Sequence, residues 1–214
     1  MARAFFDRSP PRLARDLLGC LLVRRDVAGS LTVGAIVETE AYDGPADRAS
    51  HARFGRTPRT ASMFGPGGHA YVYRIYGLHS CLNVVSGPEG RPGAVLVRAL
   101  APFHGEAEMR ARRGRPHDAA ERLAAGPGRL SEAFGIGREL DGLDLTVEGV
   151  LWLAPRPPLL ARALRAAGVA VGPRVGVAYA GPVWSGRPWR FGWKGHPSLS
   201  RPFPASATAH VERD

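Results

Sequence analysis

The sequence predicts an α+β fold in a single domain, on three observations. Short apolar runs, bounded by Gly, Pro, Asn, Asp and Ser, fill residues 20–100 and read as strands. Helix-forming residues interrupted by helix breakers dominate residues 105–137, after which strand-like runs return. The 214 residues show no internal repeat and no low-complexity linker, and 44% are hydrophobic, enough for one substantial core.

Each element follows from local pattern. In PRLARDLLG, Leu13, Leu17 and Leu18 recur at helical spacing and Gly19 is placed as a terminator, which predicts a short amphipathic helix over Pro11–Gly19. Cys20–Arg24 and Leu31–Tyr42 then read as strands joined by the turn DVAGS, hence a hairpin. The segment DGPADRASHARFGRTPRTASMFGPGGHA is long and rich in turn residues, the mark of a functional or disordered connection. Strands are predicted at Ala70–Tyr76, Ser80–Ser86 and Ala94–Leu100, with a tight turn near Tyr76-Gly77. Gly114 and Pro116 divide the helical region, and a further helix begins near the Gly126-Pro127-Gly128 break. Strands around Leu143–Leu153 and Arg174–Tyr179 flank a short helix over Pro158–Ala167, and the tail sets three Trp among basic and turn residues.

The formal net charge of +10 calls for a polyanionic partner, and nucleic acid fits best. Arg carries nearly all the positive charge, since the only Lys is Lys194; G+C-rich codon usage explains that choice of cation but not its excess over acids. No stretch approaches the roughly 18 consecutive apolar residues of a membrane span. The start of the chain has charges where a signal peptide needs an apolar core, so a soluble, cytoplasmic monomer is expected. Cys20 and Cys81 lie in separate apolar runs without ligand spacing, and the scattered His residues form no metal-binding pair. Neither metal nor organic cofactor is expected.

The chemistry concentrates in VETEAYDGPADRASH. Strand alternation puts Glu38, Glu40 and Tyr42 on one face, with His51 a turn-rich loop later. In HAYVYRIYGLHSCLNVV, Tyr71 and Tyr73 share a face and Tyr76 sits near the turn, where it buries little and suits an external contact. Acidic and aromatic groups in one region of a basic chain fit an enzyme that acts on a base taken out of a duplex. Such an enzyme stacks the base between aromatics, each worth on the order of 1–3 kcal/mol, and fills the gap with a wedge. Tyr42, His51 and Tyr73 are candidate pocket walls and Tyr76 a candidate wedge. A bifunctional lyase needs an amine nucleophile, and the scarcity of Lys argues for hydrolysis alone.

IVETEAYDGPADRASHARFGRTPR, MFGPGGHAYVYRIYGLHSCLNVVSG, GAVLVRALAP and PRVGVAYAGP with RPWRFGWKGHPSLS resemble, in that order, the alkyladenine (mammalian-type 3-methyladenine) DNA glycosylase family. The likeness spans most of the chain, and several long motifs in order make it specific. It implies a curved, mostly antiparallel sheet with flanking helices and a protruding hairpin. It also implies a monofunctional base-excision repair enzyme that flips a damaged purine out of double-stranded DNA and hydrolyses its N-glycosidic bond.

Carried over by the resemblance, Glu40 is the general base that activates water and Arg98 helps hold that water. Tyr42 and Tyr73 sandwich the flipped base, His51 completes the pocket and Tyr76 fills the gap in the duplex. Asn83 lines the pocket, where its amino group would disfavour guanine. GPGRL resembles a family stretch whose helix start could hold a phosphate, with Arg129 at the basic position. The chain begins almost at the core of the pattern, without the long basic extension of mammalian relatives, so phosphate contacts are expected from the folded surface: Arg53, Arg56, Arg59, Arg74 and Arg190. Glu38, one step farther from the loop, is left without a role. Two other readings stay open: a non-catalytic nucleic-acid-binding protein of the same fold, and a hydrolase of free nucleosides.

Overall fold

A computed structural model describes residues 1–75 and 77–204. The first helix, α1 (Pro10–Asp16), has Pro at its first positions, where a missing N–H costs nothing, and buries Leu13 and Ala14. Two antiparallel strands follow, β1 (Leu21–Arg25) and the long β2 (Leu31–Asp43). The next connection is organised by two 3₁₀ turns, His51–Phe54 and Ala61–Phe64; Ser50 caps the first by accepting from the Ala52 N–H.

β3 (Ala70–Ile75) and β4 (His79–Val85) form a hairpin that is buried at its base and exposed towards its turn, where Leu78 is 80% exposed. Gly77 has φ +71°, a left-handed conformation that glycine adopts without strain. β5 (Gly93–His104) pairs with both β4 and β2. Helices α2 (Glu106–Arg113) and α3 (Pro127–Phe134) then pack on each other, separated by a 3₁₀ turn at Ala120–Arg122. The chain continues through β6 (Leu151–Ala154), α4 (Pro158–Ala167), β7 (Val169–Gly172), the short α5 (Pro182–Ser185) and β8 (Arg190–Trp193).

The eight strands form one antiparallel sheet in the order β3-β4-β5-β2-β1-β6, with β8 joining β2 and β7 joining β8. β2 changes partner along its length, pairing with β1 through residues 31–35 and with β8 through residues 38–40, while β5 runs along its other edge. A strand that changes neighbours in this way lets the sheet curl around one face. The main core lies between the sheet and α1, α2 and α3; it takes Ile36, Val37 and Ala41 from β2 and Val97 and Leu100 from β5. Two satellite clusters, Ala52–Met63–Tyr71–Val85–Ala94 and Ala49–Val177–Ala180, sit under the long connection and the C-terminal loops.

The α+β expectation holds, but the helix expected between Gly114 and the Gly126 break is only the 3₁₀ turn at Ala120–Arg122, and the other differences lie in the last third. Only Leu151–Ala154 of the expected strand at 143–153 is extended strand, because the Asp, Gly and Thr residues before it make turns instead. Arg174–Tyr179 is a loop leading into a 3₁₀ turn, not a strand. Its apolar residues cover the Ala49–Val177–Ala180 cluster rather than joining the sheet. The strands on either side of it are Val169–Gly172 and Arg190–Trp193, neither of them expected; the second is concealed in the sequence by its Trp, Gly and Arg content.

Candidate functional site

β2 delivers the two acidic side chains to one buried place. Glu38 and Glu40 are both 0% exposed, whereas the intervening Thr39 points the other way and donates through Oγ1 to the Ala14 carbonyl of α1 at 2.8 Å. Charge buried this deeply requires partners. Glu40 Oε2 accepts from the Tyr42 hydroxyl (2.9 Å) and Oε1 from the Val175 N–H (2.7 Å), with Arg98 Nη1 3.3 Å from Oε1. Glu38 Oε1 accepts from Arg98 Nε (3.0 Å), Arg190 Nε (2.7 Å) and Ser200 Oγ (2.8 Å), and its Oε2 from the Ser200 N–H (2.6 Å). Arg98 therefore lies between the two carboxylates. Burial alone would lower its pKa, but Glu40 and Glu38 outweigh burial and raise it, so the guanidinium stays charged.

Register irregularities in the sheet produce this convergence. Ile36 faces Leu100 and Glu38 faces Ala99, so Val37 is an extra residue on β2; Thr39 faces Val97, so Arg98 is an extra residue on β5. Such bulges re-aim side chains, and these two compensate, restoring the original pairing from Thr39 to Tyr42.

Above the carboxylates opens a cleft of about 440 Å³, lined by Tyr42, His51, Tyr71, Tyr73, Asn83 and Arg98, with Arg59 and Tyr179. That volume falls in the roughly 300–1,000 Å³ range of small-molecule sites. Tyr42 packs on the Ala49–Val177–Ala180 cluster and Tyr73 on the Tyr71–Met63 cluster, so the two rings belong to different walls. The His51 and Tyr73 rings meet edge to face at 4.5 Å, and the Tyr71 hydroxyl bonds His51 Nδ1 at 2.8 Å. Burial, then the charges of Arg59 and Arg53, hold His51 down to about 4, so its imidazole is neutral at pH 7. Burial pushes Tyr71 up to about 12 and raises Tyr42 and Tyr73 well above the usual phenol range, with the Glu40 charge adding to Tyr42. The cleft thus presents neutral aromatic walls beside a buried carboxylate. Cys81, which lines it too, is a thiol pushed up to about 11 by burial and is not nucleophilic at neutral pH.

The expected pocket residues Tyr42, His51, Tyr73 and Asn83 come together here with Arg98, expected to hold water, and Glu40 lies directly behind them. Asn83 is 2% exposed and donates through Nδ2 to the Tyr71 carbonyl at 3.0 Å. The expected wedge Tyr76 lies outside the described residues. Among the proposed phosphate contacts, Arg56, Arg59, Arg74 and Arg129 are exposed, and Arg59 and Arg74 line the cleft. Arg129 lies at the start of α3, in a second depression of about 530 Å³ with Arg113, Arg115 and Arg122 that meets the cleft at Pro127. Arg53 is exposed but stacks between Phe54 (4.4 Å) and Tyr179 (5.3 Å) while bonding the Arg48 carbonyl.

Arg190 is a correction. It is 3% exposed, paired with Glu38 and bonded to the Pro202 carbonyl at 3.3 Å, so it cannot reach a phosphate. Its sequence neighbourhood, WRFGWKG, looks like a basic surface, yet β8 turns this side chain inwards because the buried Glu38 needs a second cation.

Sequence reasoning also missed several members of the site. Tyr71 was expected to share a face with Tyr73 but was given no role. The Val175 N–H is a backbone group and leaves no trace in residue type. Arg174 and Asp47 form a fully buried ion pair, with Arg174 Nη2 2.9 Å from Asp47 Oδ1, and the same guanidinium stacks on Tyr42 at 4.8 Å. Only the turn-rich spacing around Asp47 hinted at a fixed loop.

Residues 4–197 match the family model described as methylpurine-DNA glycosylase. A protein of Anaeromyxobacter dehalogenans named "Putative 3-methyladenine DNA glycosylase" is 47% identical over 210 residues, covering 98% of this chain and 89% of its own. Proteins with the same name from Methanocella arvoryzae (44% over 204 residues, 95% of this chain and 97% of the relative) and Rhodopseudomonas palustris (44% over 203, 95% and 91%) are similar throughout. With a matched region that takes in β2, the hairpin, β5 and the loop at Val175, the chain belongs to the methylpurine-DNA glycosylase family.

Proposed function

We propose that the chain is a monofunctional DNA glycosylase that takes alkylated or deaminated purines out of duplex DNA. The substrates proposed are 3-methyladenine, 7-methylguanine, hypoxanthine and ethenoadenine, and the product is an abasic site. The observation that carries the reading is Glu40, a fully buried carboxylate whose partners Tyr42, Val175 and Arg98 all line the aromatic cleft. Departure of the purine develops positive charge on the sugar, which a fixed carboxylate stabilises while it accepts a proton from the attacking water. Oε1 accepts from the Val175 N–H and has Arg98 Nη1 3.3 Å away, whereas Oε2 accepts only from the Tyr42 hydroxyl and keeps a lone pair for that water. Arg98, which lines the cleft, would hold the water from the other side.

Tyr42 and Tyr73, on different walls, are suited to stack a flat base between them, at about 1–3 kcal/mol each. His51 would contact its edge as a neutral imidazole. Arg56, Arg59, Arg74 and Arg129 are the proposed phosphate contacts, and Tyr76 the proposed wedge. Hydrolysis without lyase chemistry is supported by Lys194 being exposed and not among the residues lining the cleft.

The test is Glu40→Gln assayed on duplex oligonucleotides, each carrying one lesion. Base release is expected to fall to background while the damaged duplex is bound as tightly as before. Release at the wild-type rate would show that Glu40 is not the base, and a wild-type chain inactive on every lesion would leave a nucleic-acid-binding protein of this fold.

A further inference from the structure

Glu38 has no part in the scheme above, yet it is among the most heavily bonded side chains near the cleft. It accepts four hydrogen bonds from three residues drawn from β5, β8 and the segment after β8. We propose that Glu38, together with Ser200, is a positioning residue for Arg98, and that the segment Ser198–Phe203 is therefore part of the catalytic apparatus. The proposal rests on the function assigned to Glu40 and Arg98.

The geometry of the guanidinium supports it. Each Arg98 nitrogen has a different partner: Nε meets Glu38 Oε1 at 3.0 Å, Nη2 meets Ser200 Oγ at 3.2 Å and Nη1 meets Glu40 Oε1 at 3.3 Å. The first two contacts fix the plane and direction of the group, so the third follows from them. Nη1 makes the longest contact of the three, which leaves it the nitrogen most open to sharing a water with Glu40.

Charge supports it as well. Two carboxylates and one guanidinium would leave Arg98 divided between equal claims. Arg190, 2.7 Å from Glu38, supplies the second cation, so Glu38 is satisfied without drawing Arg98 away from Glu40. The Arg190 guanidinium in turn lies over the Phe203 ring at 4.0 Å and bonds the Pro202 carbonyl. Gly172 and Gly192 leave room for that ring: a Cβ on Gly192 would stand 2.5 Å from it. Strands β7 and β8 thus seat Phe203, Phe203 and Arg190 seat Ser200, and Ser200 with Glu38 sets Arg98.

The experiment is a double-mutant cycle on single-turnover base release, with binding of damaged duplex measured in parallel. Glu38→Gln is expected to slow release about 100-fold, the scale of losing alignment in a preorganised site, with binding unchanged within about twofold. Ser200→Ala, which unpairs no charge, is expected to slow release several-fold at full thermal stability. In an Arg98→Ala background, Glu38→Gln should add nothing, and added guanidinium ion should restore release to Arg98→Ala but not to the double variant. Independent, multiplying losses, or equal rescue of both variants, would overturn the proposal and make Glu38 a structural group only. A wild-type chain that releases no base would overturn the function reading and this proposal with it; an active wild type and a fully active Glu38→Gln would overturn this proposal alone.

Discussion

Asp47→Asn should be among the most damaging single-atom changes outside the cleft. Asp47 and Arg174 have no exposed side-chain surface and are joined by two bonds, Nη1 to Oδ2 at 2.5 Å and Nη2 to Oδ1 at 2.9 Å. Arg174 also donates to the carbonyls of Ala41 (2.9 Å) and Trp184 (3.0 Å), while its Nε has no partner. Asparagine keeps the shape but removes the charge paired with the buried guanidinium. Breaking a buried pair from one side costs about 3–5 kcal/mol. At roughly 2–4 °C per kcal/mol for a chain of this size, the melting temperature should fall by about 6–20 °C.

A catalytic effect should accompany it. Val175, next to Arg174, donates to Glu40, and Arg174 backs the Tyr42 ring, so loosening the pair loosens two supports of the cleft. Calorimetry gives the first quantity, and single-turnover release well below the melting temperature gives the second. A melting temperature within about 2 °C of wild type, with release unchanged, would refute the claim that this pair anchors the Val175 loop.

Two further changes test other parts of the structure. His51 is held down to about 4, against about 6.5 when unfolded, so below pH 6.5 the unfolded chain binds the proton that the folded chain refuses. Stability should be level in this respect above pH 6.5 and decline as the pH falls from 6.5 to 4; His51→Gln should remove that decline in pH-dependent denaturant unfolding, and superimposable curves would exclude it. Gly192→Ala drives a methyl into the Phe203 ring, a clash worth about 1–3 kcal/mol, and should slow base release more than it weakens duplex binding. A loss of stability without a loss of rate would separate the Phe203 seat from the active site.

The legible parts of the molecule were those that depend on nearby residues. Alternation put Glu38, Glu40 and Tyr42 on one face, and that face is the site, because a strand carries its side-chain direction in its own period. α1 and the strands through Leu100 were read within a few residues for the same reason. The illegible parts were contacts made at long range. Glu38 looked dispensable beside Glu40 since nothing near it in sequence announces Arg98, Arg190 or Ser200, which lie 60, 152 and 162 residues away. Arg190 read as a phosphate contact for the converse reason: a run of Arg, Trp and Gly shows charge but not which way β8 faces. The Arg174–Tyr179 run is apolar enough for a strand, and only the competing burial of Val177 against Ala49 and Ala180 explains why it stays a loop.

The paired bulges on β2 and β5 connect these observations. In an unbroken antiparallel ladder every residue has an opposite number, and the side chains on each face stand in fixed rows. Val37 and Arg98 escape that constraint, one on each strand, within three residues of each other along the ladder. Val37 uses its freedom to enter the main core, and Arg98 uses its freedom to reach both carboxylates. Because the two insertions cancel, the register beyond them is intact, and Tyr42 still pairs opposite Ala94 at the floor of the cleft. One uncompensated insertion would instead move every later side chain of β2 to the opposite face, taking Glu40 and Tyr42 out of the site together. The curled sheet thus does more than support the cleft: the paired bulges at Val37 and Arg98 are what allow a buried arginine to serve two buried glutamates in a strongly basic protein.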